Sequence, residues 1–180
     1  MELLSDAFSV EIGNEKGKIR IAHCIMMIDA HQHVFWQGTD DAGLIADMDS
    51  HGIDQAWLLT WETSREENQP SHLRKFNPAH ALPGGGHKGM VLSDVLLAAG
   101  RYPDRFVIGY CPHPAGGAAA SLFEAAWHMH SVRVCGEWKF RMLLDDPRCL
   151  ELFRAAGRLG APVVCHIDCP YLPDRSGNPV

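Results

Sequence analysis

Apolar residues fall along this chain in short continuous runs, and between the runs they recur at three- and four-residue spacing. Ile25-Met26-Met27-Ile28 leads into Asp29-Ala30-His31-Gln32-His33 and predicts a first strand. Thr39-Asp40-Asp41 then offers a capping residue and acids ahead of Leu44, Ile45 and Met48 at helical spacing, with His51-Gly52 as the stop. Residues 53 to 61, rich in Ile, Trp and Leu, predict a second strand. Residues 62 to 88 are polar and broken by Pro70, Pro78, Pro83 and Gly84-Gly85-Gly86. A loop that long is usually a lid or a binding loop, or is flexible. Its histidines, His72, His80 and His87, are expected to be solvent-exposed, with substrate or metal contacts as the alternative. Helices over 93 to 102, 118 to 130 and 147 to 160 then alternate with strands over 106 to 111, 132 to 140 and 162 to 167. The last helix opens on Asp146-Pro147, a favoured start. Residues 1 to 25 hold two weakly alternating runs around Gly13-Asn14-Glu15-Lys16-Gly17 and read as a leader, either a hairpin or disordered.

Strict alternation of apolar strands and helices implies parallel βαβ units. Doubly wound sheets and closed (β/α)8 barrels both use them. A doubly wound sheet would favour a glycine-rich turn after the first strand, and His31-Gln32-His33-Val34-Phe35-Trp36 stands there instead. Polar residues at several strand ends (His33, Trp61, His113, Lys139, His166) favour the barrel. The expected fold is therefore α/β, a parallel (β/α) TIM-barrel type. Five strands are predicted, against the eight of a closed barrel, which takes about 250 residues.

Composition narrows the function. At 180 residues and 46% apolar content the chain is about one domain long. A formal charge of -6 without a basic stripe argues against nucleic-acid binding. No apolar run approaches the roughly 20 residues of a membrane span, and no basic segment precedes an apolar core at the start. Six cysteines without a CxxC pair suit reduced thiols, so a cytoplasmic setting is expected. Eleven histidines tilt the chain toward metal chemistry. In a strand, side chains alternate faces, so His31 and His33 point the same way with Asp29 behind them on that face. Two imidazoles at one strand end are half of a metal site. By the same alternation Lys139, Glu137 and Cys135 share a face.

Asp29-Ala30-His31-Gln32-His33, Gly136-Glu137-Trp138-Lys139-Phe140 and Ala161-Pro162-Val163-Val164-Cys165-His166 together resemble the amidohydrolase superfamily, in its amidohydrolase-2 branch of metal-dependent hydrolases and decarboxylases. The resemblance spans residues 27 to 170. It implies a divalent metal, usually zinc, on His31, His33 and His166, completed by a strand-eight aspartate that serves in proton transfer. Such a cation lowers the pKa of bound water and polarises a carbonyl. It further implies a substrate contact or metal bridge at Lys139, for which contact with a small-molecule substrate, or an ion pair with Glu137, is the favoured role. Glu137, His113 and Trp36 join Lys139 as candidate substrate-binding residues; a rigid turn at His113 and core packing of Trp36 are the structural alternatives. The strand-six histidine and strand-eight aspartate have no counterpart before Val180, so no catalytic residue is named. Residues 26 to 180 are expected to be the N-terminal part of the barrel, with open first and fifth strand edges that favour a homo-oligomer. Three functions follow: hydrolysis of a C-N or C-O bond, non-oxidative decarboxylation, or a truncated, non-catalytic remnant that needs a partner or second copy.

Overall fold

The computed structural model describes residues 26 to 64, 66 to 68 and 74 to 166. The leader, His72 and everything after His166 lie outside the described residues. The elements in chain order are β1 (Ile28–Gln32), α1 (Asp41–His51), β2 (Gln55–Leu58), β3 (Trp61–Glu62), β4 (Gly89–Met90), α2 (Leu92–Arg101), β5 (Phe106–Ile108), α3 (Ala119–His130), β6 (Cys135–Trp138), α4 (Pro147–Leu159) and β7 (Val163–Cys165). The helix signals act as expected. Asp40 caps α1 by accepting the Gly43 amide at 2.8 Å, and Gly52 closes it at φ +67°. Asp146 caps α4 ahead of Pro147.

β1, β2 and β5 pair in parallel, as do β6 and β7. A parallel bridge between Gly109 and Val134 joins the two groups, with Tyr110 donating to the Val134 carbonyl and Arg133 to that of Ile108, each at 2.9 Å. Five parallel strands thus stand side by side, with β1 and β7 outermost, and no closed barrel forms among the described residues. Helices cover one side. Phe123, Ala126, Cys149, Leu152 and Ala156 of α3 and α4 pack with Cys111, Cys135 and Trp138, while Leu44, Met48, Val95 and Ala98 of α1 and α2 pack with Ala56, Leu58 and Phe106. The apolar periodicity of the helices is this buried face.

Two expectations need correction. The strand over 53 to 61 divides: β2 stays in the parallel sheet, while Trp61 and Glu62 turn away to pair antiparallel with Gly89 and Met90. The long loop is therefore closed at its neck. Gly89 makes this approach feasible, because it sits at φ +84° and a Cβ there would stand 2.1 Å from the Trp61 carbonyl oxygen. His87 is not exposed. It is 1% accessible, accepts the Gly89 amide on Nδ1 and donates from Nε2 to the Asn77 carbonyl. His80 is half-buried against Asp94 at 2.9 Å. A loop whose neck is only two residues wide needs such internal anchors to hold its backbone.

Candidate metal centre

The strands that carry the predicted ligands are both irregular, in the same way. On β1 the three steps from Asp29 to Gln32 run beside two steps of β2, from Ala56 to Leu58. On β6 the three steps from Cys135 to Trp138 run beside two of β7, from Val163 to Cys165. Each strand thus holds one extra residue, and such bulges re-aim side chains beside active sites. The consequence corrects the alternation argument. Asp29 shares its face with Gln32, whose amide donates to it at 2.6 Å, and not with His33. Cys135 shares its face with Trp138, inside the core under α3 and α4, and not with Glu137. His31, His33 and Glu137 are released to the opposite side.

There they meet. The Glu137 side chain is 1% exposed, and its Oε2 lies 2.9 Å from His33 Nε2 and 3.2 Å from His31 Nε2. The two imidazole nitrogens are 3.2 Å apart. The other Glu137 oxygen, Oε1, is in contact with His166 Nδ1. His31, Glu137 and His166 together offer ligand atoms within 4.8 Å of one another. Burial alone would raise the Glu137 pKa, but the hydrogen bond from His33 and the charges of His33, His166 and His31 outweigh it and hold the carboxyl down at about 2.

Proton accounting tests whether these residues suit a cation. His33 Nδ1 sits 2.9 Å from the Leu59 carbonyl, which can only accept, so Nδ1 carries the proton. Nε2 can then donate to the carboxylate only in the charged ring, and in the neutral ring it presents a lone pair instead. Two lone pairs at 2.9 Å repel unless a proton or a metal ion stands between them. His31 Nε2 faces the same point. Three imidazoles and a carboxylate are a donor set that first-row divalent metals accept, and a backbone carbonyl on the far ring nitrogen is the usual outer support of a histidine ligand. The residues fit the metal.

The remaining candidates lie around this centre. Lys139 Nζ is 3.1 Å from His166 Nε2 and 4.2 Å from the Trp61 ring centroid. Trp36 packs beside Trp61 and Phe76, with Lys75 Nζ 5.1 Å from its ring. His113 lies further along the rim. Its Nδ1 accepts the Ala115 amide, its Nε2 donates to Glu67 at 2.7 Å, and its ring lies 4.4 Å from that of Phe140. Glu67 and the Leu59 carbonyl had no sequence signal: one is the second of two adjacent acids in a polar loop, the other a backbone atom.

No family model matches the chain, and neither does any curated protein. Solved structures do. The chain is similar to the crystal structure of a presumed amidohydrolase from Staphylococcus aureus, with a TM-score of 0.53 and 16% identity over 81% of this chain and 48% of that one. It is also similar to a mutant 5-carboxyvanillate decarboxylase from Novosphingobium aromaticivorans with bound manganese and 3-methoxy-4-hydroxy-5-nitrobenzoic acid, with a TM-score of 0.43 and 21% identity over 72% of this chain and 36% of that one. The chain spans about half the length of the first. The first likeness is one of fold alone: the chain shares its parallel α/β arrangement with part of that structure.

Proposed function

We propose that the chain is part of a metal-dependent hydrolase of the amidohydrolase superfamily, amidohydrolase-2 branch, acting on a C-N or C-O bond of a small molecule. One observation carries this reading: three histidines from the ends of β1 and β7 converge on the buried Glu137 of β6. His31, His33, His166 and Glu137 would hold the divalent cation, with zinc the favoured ion for a donor set rich in imidazole. A cation so bound supplies Lewis acidity toward water and a carbonyl. The chain's own groups do the rest. The Leu59 carbonyl fixes the His33 tautomer, Glu137 balances charge, and the Lys139 ammonium, close to His166, binds an anionic oxygen of the substrate. Trp36 walls the approach. In this reading the five strands are the first five of an eight-stranded barrel in a cytoplasmic enzyme.

Lys139 also favours a second reading, decarboxylation, since an ammonium beside the centre suits a carboxylate substrate. The half-length match keeps a third, a remnant that acts only with a partner or a second copy. One experiment separates them. The chelator-treated chain is reconstituted with zinc or manganese and offered lactones, amides and aryl carboxylates. Metal-dependent turnover that His31→Ala abolishes establishes an enzyme, and the substrate converted separates hydrolysis from decarboxylation. Metal binding without turnover supports the remnant, and absence of metal binding overturns the site.

A further inference from the structure

Outside the centre, Glu67 is one of the most heavily bonded side chains among the described residues of the strand-end rim. Its Oε2 accepts the Ser64 amide at 3.0 Å and His113 Nε2–H at 2.7 Å, and its Oε1 accepts the Arg141 amide at 2.8 Å. One carboxylate thus ties together the segment that follows β3, the segment that follows β5 and the segment that follows β6. The tie is directional, because His113 Nδ1 is occupied by the Ala115 amide and the Nε2 proton has to go to Glu67. Glu62 adds a second stitch by accepting the His113 amide at 3.2 Å.

The tied segments carry the metal centre's outer contacts. Arg141 lies two residues past Lys139 and four past Glu137 on the same run of chain. Trp61 precedes Glu62 and faces Lys139 at 4.2 Å, and Lys139 reaches His166 at 3.1 Å. From this geometry we infer that Glu67 is a positioning residue for the metal centre: by holding the Arg141 amide and His113 it sets where Lys139 meets His166 and where Glu137 stands among the histidines. Glu67 touches none of the ligands. The inference rests on the proposed metal site, and His113 serves in it as a member of the clamp.

The test uses the full chain and three variants, with Co(II) affinity measured by chelator competition, the Co(II) visible spectrum, and melting temperature. Glu67→Gln turns an amide N–H toward donors that need an acceptor. It should weaken Co(II) binding about tenfold, the lower end of the loss usual for groups that hold metal ligands in place, and alter the spectrum. Arg141→Ala removes the side chain but keeps the amide, so it should bind as the parent does. Leu152→Ala, in the core of α4, should lower the melting temperature at least as much as Glu67→Gln and leave the affinity within twofold. The inference is overturned if Glu67→Gln retains parental affinity and spectrum, or if Leu152→Ala loses as much affinity. Should Glu67→Gln not fold, His113→Phe replaces it, keeping the ring against Phe140 and losing the donor, with the same expectation. If the parent chain binds no Co(II), the metal site itself fails. The clamp is then judged on the His166 ring 15N shifts of the metal-free protein: Glu67→Gln moves them and Arg141→Ala does not, or the clamp fails too.

Discussion

Two carboxylates approach His113, Glu62 from β3 and Glu67 from the segment after it, and their surroundings drive their pKa values apart. Burial raises both. At Glu67 the hydrogen bonds from His113, Ser64 and Arg141 overcome burial and hold the carboxyl at about 2, whereas at Glu62 burial wins over the His113 amide and charge and the pKa is raised. A folded value below the unfolded 4.5 makes Glu67 stabilising above pH 4.5, and that contribution is lost as the pH falls from 4.5 toward 2. Glu62 acts the other way, with stability present at low pH and lost as the pH rises past 4.5. Urea midpoints measured from pH 2 to 7 should therefore fall less steeply on the acid side in Glu67→Gln than in the parent, and more steeply in Glu62→Gln. Charged hydrogen bonds of this kind are worth about 1.5–3 kcal/mol, which sets the scale of the Glu67 effect. At Gly89 a methyl group would meet the Trp61 carbonyl at 2.1 Å, so Gly89→Ala should cost more than 2 kcal/mol in urea unfolding. Gly52, also at positive φ but with open space around it, should lose only about 1 kcal/mol as alanine.

Among the elements, the helices could be read from the sequence because their signals are local. Asp40, Gly52, Asp146 and Pro147 act within a turn of where they stand, and the buried faces of α3 and α4 follow the spacing of Phe123, Ala126, Leu152 and Ala156. Leu152→Ala, deep between α4 and the sheet, should cost about 2–5 kcal/mol by chemical denaturation. The strands could be placed but their faces could not. The His31-x-His33 pair and His166 could be singled out as candidates because all three stand at strand ends, beyond or within the irregularity. The faces of Asp29 and Cys135 were inverted, because an extra residue in a ladder leaves no mark in composition and reverses every parity argument carried across it. β3 and β4, two residues each, are too short to show a period, so their closure of the loop and the burial of His87 were hidden with them. Glu67 has one local partner, the Ser64 amide, and its ties to His113 and Arg141 are distant in sequence.

On the scale of the molecule, β1 and β7 bound an arc. Met27 and Ile28 on the β1 side are 52% and 46% exposed, and Val163 of β7 is exposed as well. Parallel strands are ordinarily covered on both faces and paired on both edges, and among the described residues the outer edges of β1 and β7 have no paired strand. Sedimentation of the 180-residue chain should detect concentration-dependent association, and Ile28→Lys should weaken it. A chain that stays monomeric at high concentration would remove the edge as its cause. The arc also leaves the centre accessible from one side: the His31 side chain is 42% exposed while Glu137 beneath it is sealed.

Each of the two bulges pairs a small residue with a ligand, Ala30 with His31 and Gly136 with Glu137. Gly136 has no room to spare, since a Cβ there would lie 3.0 Å from Val164 Cβ and 3.3 Å from Leu59 Cδ2. The loss of metal binding can thus arise at a residue with no functional group at all. Gly136→Val should abolish Co(II) binding in a chain whose four proposed ligands are intact, so the proposed chemistry could be lost by gaining a side chain.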